Sequence, residues 1–85
     1  MDKIYNAVKN GEMICVVGRV NNIDFSFIME SPSGIFDENY IYLEDDHSYI
    51  FSLKDLSTYA VNELDEELGG VSISRDNETY QLWVV

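Results

Sequence analysis

"SLKDLSTYAVNELDEELGG", residues 52–70, is the stretch with the most sustained helical spacing of apolar residues, and the fold class turns on how it is read. Leu53, Leu56, Ala60, Leu64 and Leu68 recur at intervals of three and four, which places them on one helical stripe with Val61 beside it. Ser52 and Asp55 form a capping-box-like start, and Gly69–Gly70 supply a stop. The spacing predicts one long helix that covers one face of a sheet.

The sequence on both sides of this segment has strand character. "YIYLE" (40–44) and "SYIFSL" (48–53) are rich in aromatic and β-branched residues, with "DDH" (45–47) as the turn between them. After the glycines, "VSISRDNETYQLWVV" (71–85) alternates on both sides of "RDNE" and predicts a closing hairpin. Towards the N-terminus, "EMICVVGRV" (12–20) and "IDFSFIME" (23–30) form another hairpin through Asn21–Asn22, because asparagine tolerates positive φ. Ile23, Phe25, Phe27 and Met29 share one face of the second strand, with Asp24, Ser26 and Glu30 on the other. "SPSG" (31–34) breaks the pattern, and "IFDEN" (35–39) reads as loop. "DKIYNAVKNG" (2–11) reads as a short opening helix, with Asp2 as cap, Ile4, Tyr5 and Val8 on one face and Gly11 as stop. The expected order is α-β-β-β-β-α-β-β, an α+β architecture in a single domain spanning 1–85, with a mainly antiparallel, twisted sheet.

Composition fits that reading and narrows the function. The chain is 46% hydrophobic and 13% aromatic, which is globular, yet sixteen acids against five bases give a net charge of −11. Such charge repels phosphate, so direct binding to nucleic acid or to an anionic membrane is disfavoured, and encounter with a basic protein surface is accelerated. The lone Cys15 lies in a strand-like run and reads as a small buried hydrophobe, with no intrachain disulfide possible. The N-terminal stretch has no long apolar run, which argues against a signal peptide or membrane span, and a cytoplasmic location is the expectation.

Catalytic and metal signatures are weak. His47 has Asp45, Asp46 and Ser48 as neighbours, but adjacent turn residues diverge and stay hydrated, unlike a nucleophile–base–acid set that meets at hydrogen-bond distance. "DENYIYLEDDHS" (37–48) lacks the spaced ligands and the glycine of a calcium loop. One cysteine and one histidine do not make a zinc site, and Gly69–Gly70 follow the expected helix, where a phosphate-binding glycine run would precede one. No enzyme activity and no cofactor are expected.

The acids themselves are the remaining signal. They cluster at Asp37–Glu38, at Glu44–Asp45–Asp46 and at Glu63, Asp65, Glu66 and Glu67. A charge run is usually a solvated face, but three clusters with little compensating lysine or arginine strain a fold through self-repulsion. Alternate strand residues lie about 6.6 Å apart and i,i+4 helix neighbours about 5–6 Å, comparable in charge density to a strand of duplex DNA. Tyr40 and Tyr42 beside the acids are candidate anchors. In size, charge and α+β build, with acid clusters at 37–46 and 63–67, the chain resembles the small acidic inhibitors made by phages and mobile elements, including anti-CRISPR proteins and the uracil-DNA glycosylase inhibitor, and the acidic immunity proteins that neutralise bacterial nucleases. That resemblance implies a non-enzymatic, DNA-mimic-like inhibitor whose partner is a basic protein such as a nuclease or DNA-binding protein. The alternative is a generic interaction or homodimerising domain. Its pointer is "TYQLWVV" (79–85), where Trp83 and Val85 fall opposite Tyr80, Leu82 and Val84 and one face could pair with a second copy.

Overall fold

The computed structural model describes all 85 residues. A short helix and eight strands follow in the order α1 (Asp2–Lys9), β1 (Ile14–Val20), β2 (Ile23–Met29), β3 (Ser33–Phe36), β4 (Tyr40–Glu44), β5 (Ile50–Lys54), β6 (Ala60–Asp65), β7 (Gly70–Arg75) and β8 (Glu78–Val84). They form two sheets, a five-stranded one ordered β2-β1-β8-β7-β6 and a three-stranded one ordered β3-β4-β5. Every strand pair is antiparallel. No helix is long and apolar enough to cross a membrane.

The mainly antiparallel reading holds, as do the hairpins β1–β2, β4–β5 and β7–β8. Asn21 and Asn22 both adopt positive φ (50° and 66°), which gives the tight turn whose twist matches its strands. The long helix over 52–70 does not form. Leu53 belongs to β5, and Asp55 then turns left-handed (φ 57°), which ends any helical run at its intended start. Leu56–Thr58 is one 3-10 turn, Ala60–Asp65 is β6, and Gly69 at φ +87° closes the β6–β7 connection. Two causes are local: Thr58, Tyr59 and Val61 favour extended backbone, and Asp55 escapes into a conformation that aspartate tolerates. The third is tertiary: β7 buries Val71 and Ile73 and has β8 on one side only, so β6 supplies the backbone partners on the other. Leu64 and Leu68, the far end of the expected stripe, are 45% and 67% exposed.

Two smaller readings also change. Ser33–Phe36 is not loop but β3, an edge strand paired with β4 from Ser33↔Glu44 to Phe36↔Ile41. In α1 the cap position is Met1, and Asp2 sits in the first turn, where its charge suits the helix dipole. Gly11 does stop the helix: its N–H donates to the Val8 carbonyl and that of Glu12 to the Ala7 carbonyl.

Alternation builds a core between the sheets. Ile14, Val16, Met29, Val71, Ile73, Tyr80 and Leu82 line the inner face of the large sheet. Ile41, Leu43, Phe51 and Leu53 face them from the small sheet, and Leu56 with Ile4 and Ala7 of α1 closes the gap. No charged or polar residue is buried.

The two ends of residues 52–70 therefore separate in stability. Leu56→Ala should cost about 2–4 kcal/mol in urea unfolding, whereas Leu64→Lys and Leu68→Lys should each stay within about 0.5 kcal/mol. Equal losses at all three leucines would restore the helical stripe and overturn the hairpin.

Candidate functional site

Two of the three acid clusters fall at the two ends of the small sheet. Asp37 and Glu38 lie in the β3–β4 turn, and Glu44, Asp45 and Asp46 follow β4 at its other end, about 13 Å away along the strand. Between them Tyr40, Tyr42 and Glu44 share the outward face of β4, while Ile41 and Leu43 point into the core. The Tyr40 and Tyr42 rings stack at 6.2 Å, and the Tyr42 hydroxyl donates to Glu44 Oε2 at 2.9 Å. That bond holds the phenol proton and raises the Tyr42 pKa. The register sets Ile35, Ser52 and Lys54 beside the tyrosines, so this face carries one cation among its acids.

The third cluster is not on this face. Glu63 lies on β6, and Asp65, Glu66 and Glu67 turn the chain towards β7. It meets the 37–38 cluster instead around the start of α1. Asp2, Lys3, Glu63 and Glu66 line one hollow of about 380 Å³ with Met1. Met1 and Asp2 also border an adjoining hollow of about 360 Å³, floored by Tyr5, Phe36, Ile41 and Leu56 and rimmed by Asp37 and Glu38. Tyr5 and Phe36 meet edge to face at 6.0 Å, which fixes the floor. The terminal amine of Met1 pairs with the Glu63 carboxylate. Asp37 and Glu38 thus border one hollow and Glu63 and Glu66 the other, with Met1 and Asp2 common to both, while Asp65, Glu67 and the 44–46 cluster line neither.

Three of the predicted site aspartates have structural partners. Asp45 Oδ1 accepts the N–H groups of His47 and Tyr49, both at 3.0 Å, and so builds the "DDH" turn in which Ser48 takes φ 69°. Asp65 Oδ1 accepts the N–H groups of Glu67 and Leu68, both at 2.9 Å. Asp37 Oδ1 accepts that of Asn39 at 2.8 Å. Short aspartate side chains do this because they reach their own backbone two residues on. Glu38, Asp46, Glu66 and Glu67 are exposed, with their charge free for another molecule. His47 Nε2 lies 3.3 Å from Glu30 Oε2.

The sequence reading gives Asp2 to helix capping and so leaves it out of the acidic rim, where the structure places it. That reading also misses the one tightly knit polar network. Glu78 Oε1 accepts the Tyr80 hydroxyl at 2.7 Å and the Tyr59 hydroxyl at 3.3 Å, while Oε2 accepts Arg75 at 3.1 Å. Arg75 also reaches Thr58 Oγ1 at 2.7 Å and lies over the Tyr59 ring at 4.1 Å. The signal was present: Arg75 and Glu78 flank Asp76–Asn77 and so must sit opposite one another, as an oppositely charged cross-strand pair. The Tyr80 hydroxyl, seconded by Arg75, holds the Glu78 carboxyl below the usual glutamate range, and burial with the same bond raises Tyr80. The other predicted pointer, Trp83, is half-buried on the outer face of the large sheet, with its ring over Gly70, where a Cβ would collide with it. Comparison with known protein families, curated proteins and solved structures gives no match for this chain.

Turn aspartates and free acids should part company on mutation. Asp45→Ala and Asp65→Ala should each cost about 1–2 kcal/mol, since each strands two backbone donors, while Asp46→Ala and Glu67→Ala should remain within about 0.5 kcal/mol. Glu78 predicts a pH signature. Its folded pKa lies below its unfolded value of about 4.3, so its stabilisation is complete above that value and is lost as pH falls through the folded pKa. Glu78→Gln should therefore lower Tm at pH 7, with the gap to wild type closing as pH falls below about 4. A gap that stayed constant down to acid pH would show that the charge of Glu78 is not what stabilises the network.

Proposed function

We propose that this chain is a non-enzymatic acidic binding protein that occupies a basic, nucleic-acid-binding surface of a partner protein and so excludes the nucleic acid. The observation that carries the reading is a pair of hollows that share Met1 and Asp2, one bordered by Glu63 and Glu66, the other rimmed by Asp37 and Glu38 over an apolar floor of Tyr5, Phe36, Ile41 and Leu56. An arginine or lysine side chain matches that chemistry: its aliphatic stem lies on the floor while its cation meets the rim. Lys3 and the Met1 amine offset part of the rim, and the remaining excess is negative. From the rim, the outward face of β4 leads through Tyr40 and Tyr42 to Glu44 and Asp46, so a broad basic surface finds aromatic contact between two charged ends.

Affinity for such a partner should fall with rising salt, because exposed charges are screened beyond about 8 Å at physiological ionic strength. Each reversal of a rim charge, Glu38→Lys or Glu66→Lys, should weaken it roughly 2- to 10-fold. Asp24→Lys, on a strand remote from the rim, should leave it unchanged. The check is capture of basic proteins from a cell extract on the immobilised chain and its variants at low and high salt, followed by a duplex-DNA retention assay on the captured protein. A captured protein that still binds DNA while held, or capture indifferent to salt and to both reversals, would sink the proposal.

A further inference from the structure

The two sheets end in four free edges, and three of them are blunted. β6 has a register shift between Glu63 and Asp65 and carries both of those acids. β3 is only four residues long and follows Pro32, and β5 ends in Lys54 before the left-handed Asp55. Shortness, charge and bulges are the usual defences of a sheet edge. β2 has only one of them, a single acid, Asp24, which Arg19 of β1 approaches. Its seven residues, "IDFSFIM", pair with β1 without a bulge and contain one acid and no lysine or proline.

The groups that this edge presents follow from the ladder. The Val85 N–H donates to the Met13 carbonyl and the Asn21 N–H to the Asn77 carbonyl, so odd-numbered residues of β1 bond towards β8. Antiparallel alternation then turns Ile14, Val16, Gly18 and Val20 towards β2, where they meet Met29, Phe27, Phe25 and Ile23. Asp24, Ser26 and Ile28 are left with their N–H and C=O groups directed away from the sheet.

We infer that β2 is a self-pairing edge, at which a second copy of this chain adds its own β2 antiparallel about a twofold axis through Ser26. This register, unlike any neighbouring one, engages all three outward-facing residues of each copy: Ser26 bonds Ser26 of the other copy, and Asp24 bonds Ile28 in both directions. It also keeps Phe25 and Phe27 on the core side and Asp24, Ser26 and Ile28 on the outer side, as a continuous ten-stranded sheet requires. The charge pattern selects the occupant. Two copies at −11 each repel everywhere that acids crowd, but this edge holds one acid. Arg19 lies 3.6 Å from that Asp24, and the register sets Asp24 across from the apolar Ile28 and not from its own copy. A basic partner finds nothing to grip here, whereas an identical, nearly neutral strand does.

Sedimentation equilibrium and light scattering on the full chain test the pairing. The expected result is a concentration-dependent species of twice 9.8 kDa that strengthens as salt is added, opposite in sign to the proposed basic complex. Ser26→Pro removes an outward donor without breaking a bond to β1, and Ser26→Lys sets like charges face to face on the axis. Each should weaken the dimer on the order of tenfold while leaving the circular dichroism of the monomer unchanged. Ser26→Cys in a Cys15→Ser background should cross-link on mild oxidation, since a hydrogen-bonded antiparallel pair holds its Cα atoms about 5.5 Å apart. A chain that stays monomeric up to millimolar concentration at high salt, with no cross-link at position 26, overturns the inference. So does a dimer indifferent to both Ser26→Pro and Ser26→Lys.

Discussion

The absence of any buried charge is the constraint from which the rest of this structure follows. Eighty-five residues supply only enough apolar side chains for one thin core, and both sheets spend their inward positions on it. Sixteen acids must then be distributed over turns, rims and outward strand faces. Three turns gather most of the clustered ones, Asp37, Asp45 and Asp65 because aspartate bonds the turning backbone, and their neighbours because the core has no place for them. Clustering is thus partly a by-product of turn chemistry. What that chemistry does not require is the meeting of clusters from distant parts of the chain around Met1 and Asp2.

That meeting depends on how the segment between the sheets is fastened. Residues 55–59 carry the chain from the small sheet to the edge of the large one, and they are tied at both ends. Leu56 sinks into the core and gives its N–H to the Asn39 carbonyl, beside the 37–38 turn. Thr58 and Tyr59 are held by Arg75 and Glu78 of the β7–β8 hairpin. The crossover therefore sets the distance between the β3–β4 turn and β6, and with it the width of the acidic rim.

The legible and illegible parts of the fold divide along the same line. Hairpins were readable because their cause is local: Asn21–Asn22 accept positive φ, and alternation in "IDFSFIM" has a single good interpretation. Residues 52–70 were not, because leucines at helical spacing had two competing uses. Leu53 and Leu56 enter the core from a strand and a 3-10 turn, while Leu64 and Leu68 are surface residues whose spacing is coincidental. The deciding influence, the need of β7 for a second backbone partner, is non-local and leaves no mark within the segment. At the candidate site, the sequence names the acids and Tyr40 and Tyr42 as candidates, and the alternation of β4 turns the two tyrosines outward. The sequence could not show that Glu63 and Glu66 share Asp2 with the hollow bordered by Asp37 and Glu38, since only the folded arrangement of distant segments brings this about.

Charge also sorts the surfaces by the company that each can keep. The five-stranded sheet begins with β2, nearly neutral and unprotected, and ends with β6, acidic and bulged. Four inter-strand steps separate them, roughly 19 Å. Pairing through β2 would therefore leave the acidic rim of each copy open and give a ligand with two negative heads. Two such heads on one sheet would meet a repeated or dimeric basic target with an effective concentration that a single head lacks. On these two proposals salt would set the balance, since low ionic strength would favour a basic partner at the rim and oppose self-pairing, and high ionic strength would do the reverse. Excess negative charge, which looks at first like a burden on so small a core, would then keep the two proposed contacts from competing for the same surface.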